Sequence, residues 1–132
     1  MVARRFRGAV QAAWYPIKHR APARAFHAAV EASGLRDAVA AELWLREPTD
    51  PARLNGCGLL VANPPWGFEA EARGVLAALE GRLGAGEAGQ GWAVTRVAEE
   101  QRMPAARGGS GVCVLGAGAW GTALAIQAAR AG

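Results

Sequence analysis

Apolar and polar positions along the chain fall into short blocks whose period changes from one block to the next. Residues 9–17 are an apolar run closed by Pro16 and too short for a capped helix, which predicts a buried strand. Residues 21–33 are Ala-rich, with Phe26, Ala29 and Val30 as an apolar stripe and Ser33-Gly34 as the stop, which predicts a helix. Residues 37–46 alternate, with Val39, Ala41, Leu43 and Leu45 on one side and Glu42, Trp44 and Arg46 on the other. That is a period of two, expected for a strand with one wetter face. A loop through Pro48, Asp50, Pro51 and Asn55-Gly56 leads into the continuous apolar run 57–62, expected to be a central strand, which Asn63-Pro64-Pro65-Trp66 stops. Residues 68–83 carry apolar Phe68, Val75, Leu76, Leu79 and Leu83, with acid in the first turn and Arg82 in the last, the order a helix dipole prefers.

The rest of the chain is more broken. Gly84 to Gly91 is a Gly-rich turn, and Trp92, Val94 and Val97 mark a weaker strand. Glu99 to Gly111 has the composition of a linker: charge, then proline, then glycines. Val112 to Leu115 is again a buried-strand run, and Thr122 to Arg130 has helical composition. The succession of strands and helices predicts an α/β fold with few strands in its first part and an open sheet flank.

Composition adds limits. At 132 residues the chain holds about one small domain. Its formal net charge is +4, carried almost wholly by Arg, with Lys18 the single lysine. Basic proteins are drawn towards nucleic acid or anionic membranes, although a solvated surface in an Arg-rich composition gives the same count. The one local concentration is Arg4, Arg5 and Arg7, followed by Lys18, His19, Arg20 and Arg24, which could meet phosphates. Cys57 and Cys113 lack C-x-x-C spacing and read as buried free thiols in a reducing cytoplasm. No apolar run reaches the roughly 18 residues of a membrane span, and the start lacks the apolar stretch of a signal peptide. His19 and His27 have no partners at metal-ligand spacing, so no metal is expected. No Ser-His-Asp arrangement is expected either.

Two motifs carry chemistry. Gly116-Ala117-Gly118-Ala119-Trp120-Gly121 follows an apolar strand and opens a helical stretch. Gly116 permits the tight turn, Gly118 lets the backbone approach a pyrophosphate, and Gly121 lets helix and strand pack closely. No acid about 20 residues further on completes the fingerprint. The string 112–132 resembles the N-terminus of bacterial NAD(P)-dependent glycerol-3-phosphate dehydrogenase. That resemblance implies NAD(P) as cofactor, with Ala119 and Trp120 joining Gly116, Gly118 and Gly121 as contacts.

Asn63-Pro64-Pro65-Trp66 has the form found in methyltransferases acting on exocyclic amines. There a side-chain oxygen and a proline carbonyl orient the amino group, and the aromatic stacks on a flipped base. The competing reading is a proline-rich strand exit whose Trp66 packs on the following helix. Together with Trp14-Tyr15-Pro16-Ile17-Lys18, Ala41-Glu42-Leu43 and Leu54-Asn55-Gly56-Cys57, the motif makes residues 5–100 resemble the C-terminal third of the RlmJ family, bacterial 23S rRNA adenine-N6 methyltransferases.

The resemblance implies S-adenosylmethionine as methyl donor, 23S rRNA as partner and a cytoplasmic location. It also implies that the catalytic motif lies on an earlier strand, before Met1. Asn63, Pro64, Pro65 and Trp66 are then a look-alike, and no catalytic residue is expected here. The expected fold is the C-terminal part of a Rossmann-like methyltransferase sheet over 1–100, a linker over 101–111, and an isolated strand–turn–helix of a dinucleotide-binding fold over 112–132. The expected function is a methyltransferase fragment inactive alone, with most of the methyl-donor site absent. The alternatives are a dehydrogenase fragment with an unrelated extension, or a non-catalytic RNA-binding module using Arg4, Arg5, Arg7 and Lys18.

Overall fold

A computed structural model describes residues 8–99 and 112–115. The elements are β1 (Val10–Ile17), α1 (Arg20–Ala32), β2 (Ala38–Trp44), β3 (Gly56–Ala62), α2 (Phe68–Leu83), β4 (Gly91–Ala98) and β5 (Val112–Leu115). Most bounds agree with the hydrophobic periods to within a residue or two. β4, the weakest strand by pattern, is eight residues long and pairs with β2 along its whole length.

The helix ends have local causes. The ring Nδ1 of His19 accepts from the Ala21 N–H at 3.2 Å and so caps α1. Pro22 sits in the first turn, where its missing N–H costs no helical hydrogen bond. Ser33 closes the helix, its hydroxyl donating to the Val30 carbonyl at 2.6 Å. α2 starts after Gly67, whose φ of 83° suits glycine.

The five strands form one sheet in the order β4-β2-β3-β1-β5. β1 pairs antiparallel with β3, β3 with β2, and β2 with β4. β1 and β2 therefore run in the same direction, with β3 inserted between them in the opposite one. β5 lies parallel to β1, with Val10 opposite Val112 and Ala13 opposite Leu115. This corrects the expectation of an isolated strand at 112–115. A short apolar run with free N–H and C=O groups is satisfied by whatever strand edge is open, and β1 offers one.

Both sheet faces are covered. α1 lies against β1 and β4, and its Val30 joins Ala38, Ala40 and Leu60 in the main core cluster, with Tyr15, Phe26 and Val97 packed around it. α2 lies over β2 and β4 on the opposite face and buries Ala72 and Leu76. β2 is thus sandwiched, and Ala38, Val39 and Ala40 are fully buried. The face of β2 expected to be wet is instead the one beneath α1, and Glu42 on it is hydrogen-bonded rather than solvated. Arg96 on β4 closes the far end, bridging Asp37 and Glu69.

Candidate nucleic-acid interface

The strand directions decide which edge of the sheet can act. In open α/β sheets ligands bind outside the carboxyl ends of parallel strands. β1 and β2 end at Ile17 and Trp44, and the register sets Ile17, Gly56, Trp44 and Gly91 side by side along that edge. The turn after β1 therefore delivers Lys18, His19 and Arg20 to the same edge to which the end of β2 delivers Arg46 and Glu47.

Lys18 and His19 are exposed, as is Arg24 in the first turns of α1. The Arg20 guanidinium lies over the Trp44 ring, 4.9 Å from its centroid, and its Nε donates to Glu47 Oε1 at 3.1 Å. Lying over an aromatic ring while bonding a carboxylate through Nε is an arrangement the guanidinium allows and a compact ammonium does not. Arg46 makes a two-pronged contact with Glu87, at 2.8 and 3.0 Å, and this hydrogen bond holds the Glu87 carboxyl below its usual range. Beneath the edge is a concavity lined by Ile17, Arg20, Arg24, His27, Glu42 and Trp44.

His27 and Glu42, which line it, form a polar cluster with Tyr15. The Tyr15 hydroxyl donates to Glu42 Oε1 at 2.7 Å and lies 2.9 Å from His27 Nε2. A tyrosine has one O–H proton, so with that proton on Glu42 the His27 Nε2 must carry a hydrogen and donate to the Tyr15 oxygen. The same Nε2 lies 3.3 Å from Glu42 Oε1. Burial first, then the hydrogen bond to the Glu42 carboxylate, raise the Tyr15 hydroxyl far above its ordinary 10.0.

The sign of the consequence follows. A raised folded-state value means that the folded chain keeps this proton while the unfolded chain loses it above pH 10. The stabilisation is full below pH 10 and is lost as the pH rises further. Unfolding midpoints measured from pH 8 to 11 should fall beyond pH 10 in the wild-type chain, and more shallowly in Tyr15→Phe.

Asn63 stands at the opposite edge, where β1 and β2 begin. It has a φ of 50°; its N–H donates to the Asp37 carbonyl at 2.8 Å and its side-chain Nδ2 to the Ala9 carbonyl at 3.0 Å. Both bonds tie strand ends together. Trp66 is 101 % exposed, so it does not pack on α2. Of the candidate residues named from sequence, Lys18 lies on the carboxyl edge, whereas Asn63, Pro64, Pro65 and Trp66 follow the other end of β3, a strand of 7 residues. Arg4, Arg5 and Arg7, like Gly116, Gly118, Ala119, Trp120 and Gly121, lie outside the described residues. Sequence reading missed Trp44, Arg46 and the Tyr15–His27–Glu42 cluster as site residues. A Trp and an Arg just past the end of a strand were the available signal for the first two. Among the described residues there is no group of three potential metal ligands and no helix long and apolar enough to cross a membrane.

A sheet with helices on both faces, whose carboxyl edge carries Lys18, Arg20 and Arg46 beside Trp44, defines the class: an open-sheet α/β domain. Comparison with known proteins then places it. The family described as ribosomal RNA large subunit methyltransferase D, RlmJ, matches residues 1–97, and the chain belongs to that family. Ribosomal RNA large subunit methyltransferase J of Escherichia coli is 32% identical over 94 residues, 69% of this chain and 34% of the relative. Its counterpart in Haemophilus influenzae is 32% identical over 73 residues, 55% of this chain and 26% of the relative. A crystal structure of a Legionella pneumophila protein superposes with a TM-score of 0.60 at 26% identity, covering 71% of this chain and 34% of that one. The chain thus spans about a third or less of these proteins. The family match ends before residue 112, and the dehydrogenase resemblance of 112–132, with its NAD(P), gains no support from these relatives.

Proposed function

We propose that residues 1–100 are the carboxyl-terminal portion of an S-adenosylmethionine-dependent methyltransferase acting on adenine N6 of 23S rRNA, and that this portion supplies part of the RNA-facing rim. The family match over residues 1–97 carries the reading. The sheet is compatible with the end of a Rossmann-like unit: β1 and β2 run the same way, and β3 lies antiparallel between them.

The described residues do not form a cradle for the methyl donor. The two carboxylates in and beside the concavity are already engaged, Glu42 with Tyr15 and His27, and Glu47 with Arg20. No step of methyl transfer is assigned to this chain. Its own contribution is electrostatic and positional. Lys18 on the strand–helix turn and Arg24 in the first turns of α1 are exposed cations, and Arg20 lies over Trp44.

Phosphate contacts of this kind release counterions, so affinity falls with salt in proportion to their number. Binding of a 23S rRNA fragment over a salt series tests the assignment. The double variant Lys18→Ala/Arg24→Ala should bind with a slope of log affinity against log salt shallower by roughly 0.7 per removed contact. Slopes equal to the wild type would remove these residues from the RNA surface. Methyl transfer to rRNA by the chain on its own is expected to be nil, and labelled product would contradict the division proposed here.

A further inference from the structure

The concavity under the carboxyl edge holds about 200 Å³. Sites for whole drug-sized ligands run to roughly 300–1,000 Å³, so this one has room for a single planar ring system and not for a nucleoside cofactor. Glu42 is the one carboxylate among the described residues that line it, and its side chain is 13 % exposed. Tyr15 and His27 both meet this carboxylate at Oε1. Oε2 takes no hydrogen bond among the described residues and is open to solvent. One oxygen is enough to anchor Tyr15. The second is an acceptor in a mostly buried position, where polar atoms are normally matched by a donor.

The other lining residues suit a base and its phosphate. Arg20 and Trp44, one over the other, both line the concavity, and unpaired RNA bases stack on aromatic rings and on guanidinium planes. Arg24 also lines it, is exposed, and makes no ion pair or hydrogen bond among the described residues. The carboxylate then selects among the bases. Guanine presents two adjacent donors, N1–H and the N2 amino group, which an ionised acceptor bonds strongly. Adenine and cytosine present one amino group beside a ring-nitrogen acceptor, which a carboxylate repels. Uracil presents one N–H between two carbonyls.

We propose that the concavity beside Glu42 is a base-reading subsite that takes one unpaired guanine of the bound RNA. Glu42 Oε2 accepts from guanine N1–H and the N2 amino group, the base lies against the Arg20–Trp44 pair, and Arg24 meets the phosphate of the same nucleotide. The subsite rests on the RNA reading of the carboxyl edge and adds sequence preference to it, since phosphate contacts alone carry none. Glu42 is thereby a specificity-determining residue, and the Tyr15–His27 pair is what fixes its carboxylate by the other oxygen.

The test titrates the full chain, at one low salt concentration, into fluorescein-labelled RNA pentamers UUGUU, UUAUU, UUCUU, UUUUU and an inosine form, UUIUU. UUGUU should bind about tenfold more tightly than the A, C and U pentamers, within the range of one two-pronged base contact. Inosine keeps N1–H and lacks the N2 amino group, so UUIUU should fall between them. Glu42→Gln keeps an oxygen for the Tyr15 hydroxyl and puts a donor where Oε2 accepts. It should bring UUGUU down to the level of UUAUU, with amide exchange of β2 and β3 as in the wild type. Tyr15→Phe disturbs the same cluster but leaves the carboxylate, and should keep the preference for UUGUU. Equal affinities for all five pentamers, no binding of any, or a guanine preference that survives Glu42→Gln would overturn the subsite. Loss of the preference in Tyr15→Phe to the same extent would reduce Glu42 to a structural residue and overturn it too. Shallower salt slopes for Lys18→Ala/Arg24→Ala on the long rRNA fragment, together with equal pentamer affinities, would strike the subsite and leave the RNA-facing rim standing. Failure of both measurements would strike the rim as well.

Discussion

Asn55→Ala should lower the stability of the domain by about 3 kcal/mol, from two hydrogen bonds lost with their acceptors left buried at roughly 1–3 kcal/mol each. Asn55 is 1 % exposed. Its Nδ2 donates to the Lys18 carbonyl at 2.7 Å and to the Asp50 carbonyl at 2.9 Å. Its backbone N–H donates to Ile17 and its carbonyl accepts from Leu45. One residue therefore joins the ends of β1 and β2 and holds the loop that leads from β2 into β3. Its Oδ1 is buried without a partner among the described residues, so the side chain acts here as a donor only. Asn55→Asp should then be worse than alanine at neutral pH, because a carboxylate would face two carbonyl oxygens with no donor to answer it. Urea unfolding of the two variants checks the order. Because Lys18 is carried on the carbonyl that Asn55 holds, the alanine variant should also lose affinity for the rRNA fragment. Equal stability of both variants and the wild type would show that the loop is held by other contacts.

Gly58→Ala is the second large effect, again about 3 kcal/mol, at the upper end of what overpacking a filled core usually costs. Gly58 faces Tyr15 across the β1–β3 pair, and a Cβ there would enter the tyrosine ring at Cζ, Cε2 and the hydroxyl oxygen. The ring cannot slide away cheaply. Phe26 lies against it with centroids 4.9 Å apart, and its hydroxyl is committed to Glu42 and His27. Moving the ring leaves the Glu42 carboxylate under α1 without its closest donor. The effect should be strongly non-additive: Tyr15→Ala, damaging alone, should cost much less in the Gly58→Ala background, since the clash is gone. A double-mutant cycle on unfolding midpoints measures this, and simple additivity would refute the contact as the cause.

The legible and illegible parts of this domain divide by the range of the interactions that make them. The strand at 57–62, the helix at 68–83 and the stop at Ser33-Gly34 were readable because hydrophobic period and capping act within one or two turns of chain. The role of Glu42 was not readable. Alternation marks it as polar, but only α1 folding over β2 brings Tyr15 and His27 to it, and these residues are separated from it by 27 and 15 positions. Asn55-Gly56 reads as an ordinary turn, and nothing local tells that its side chain ends up in the core. Arg20 and Trp44 meet for the same reason, across a register that the turn after β1 and the end of β2 share.

Asn63-Pro64-Pro65-Trp66 shows the limit most plainly. Local sequence determines that it ends a buried strand, since two prolines cannot continue one. Whether it lies at the ligand-binding edge depends on the direction of β3, and β3 runs against β1 and β2. The sequence by itself determined the α/β elements of this chain, its basic character and the residues that ally it to its family. The tertiary structure alone decided the order β4-β2-β3-β1-β5, the edge on which Lys18 and Arg20 stand, and the strand that β5 joins. Backbone hydrogen bonds between strands are the same for every side chain, so pairing and direction follow from which apolar faces can be buried together, a property of the assembled sheet and not of any one segment.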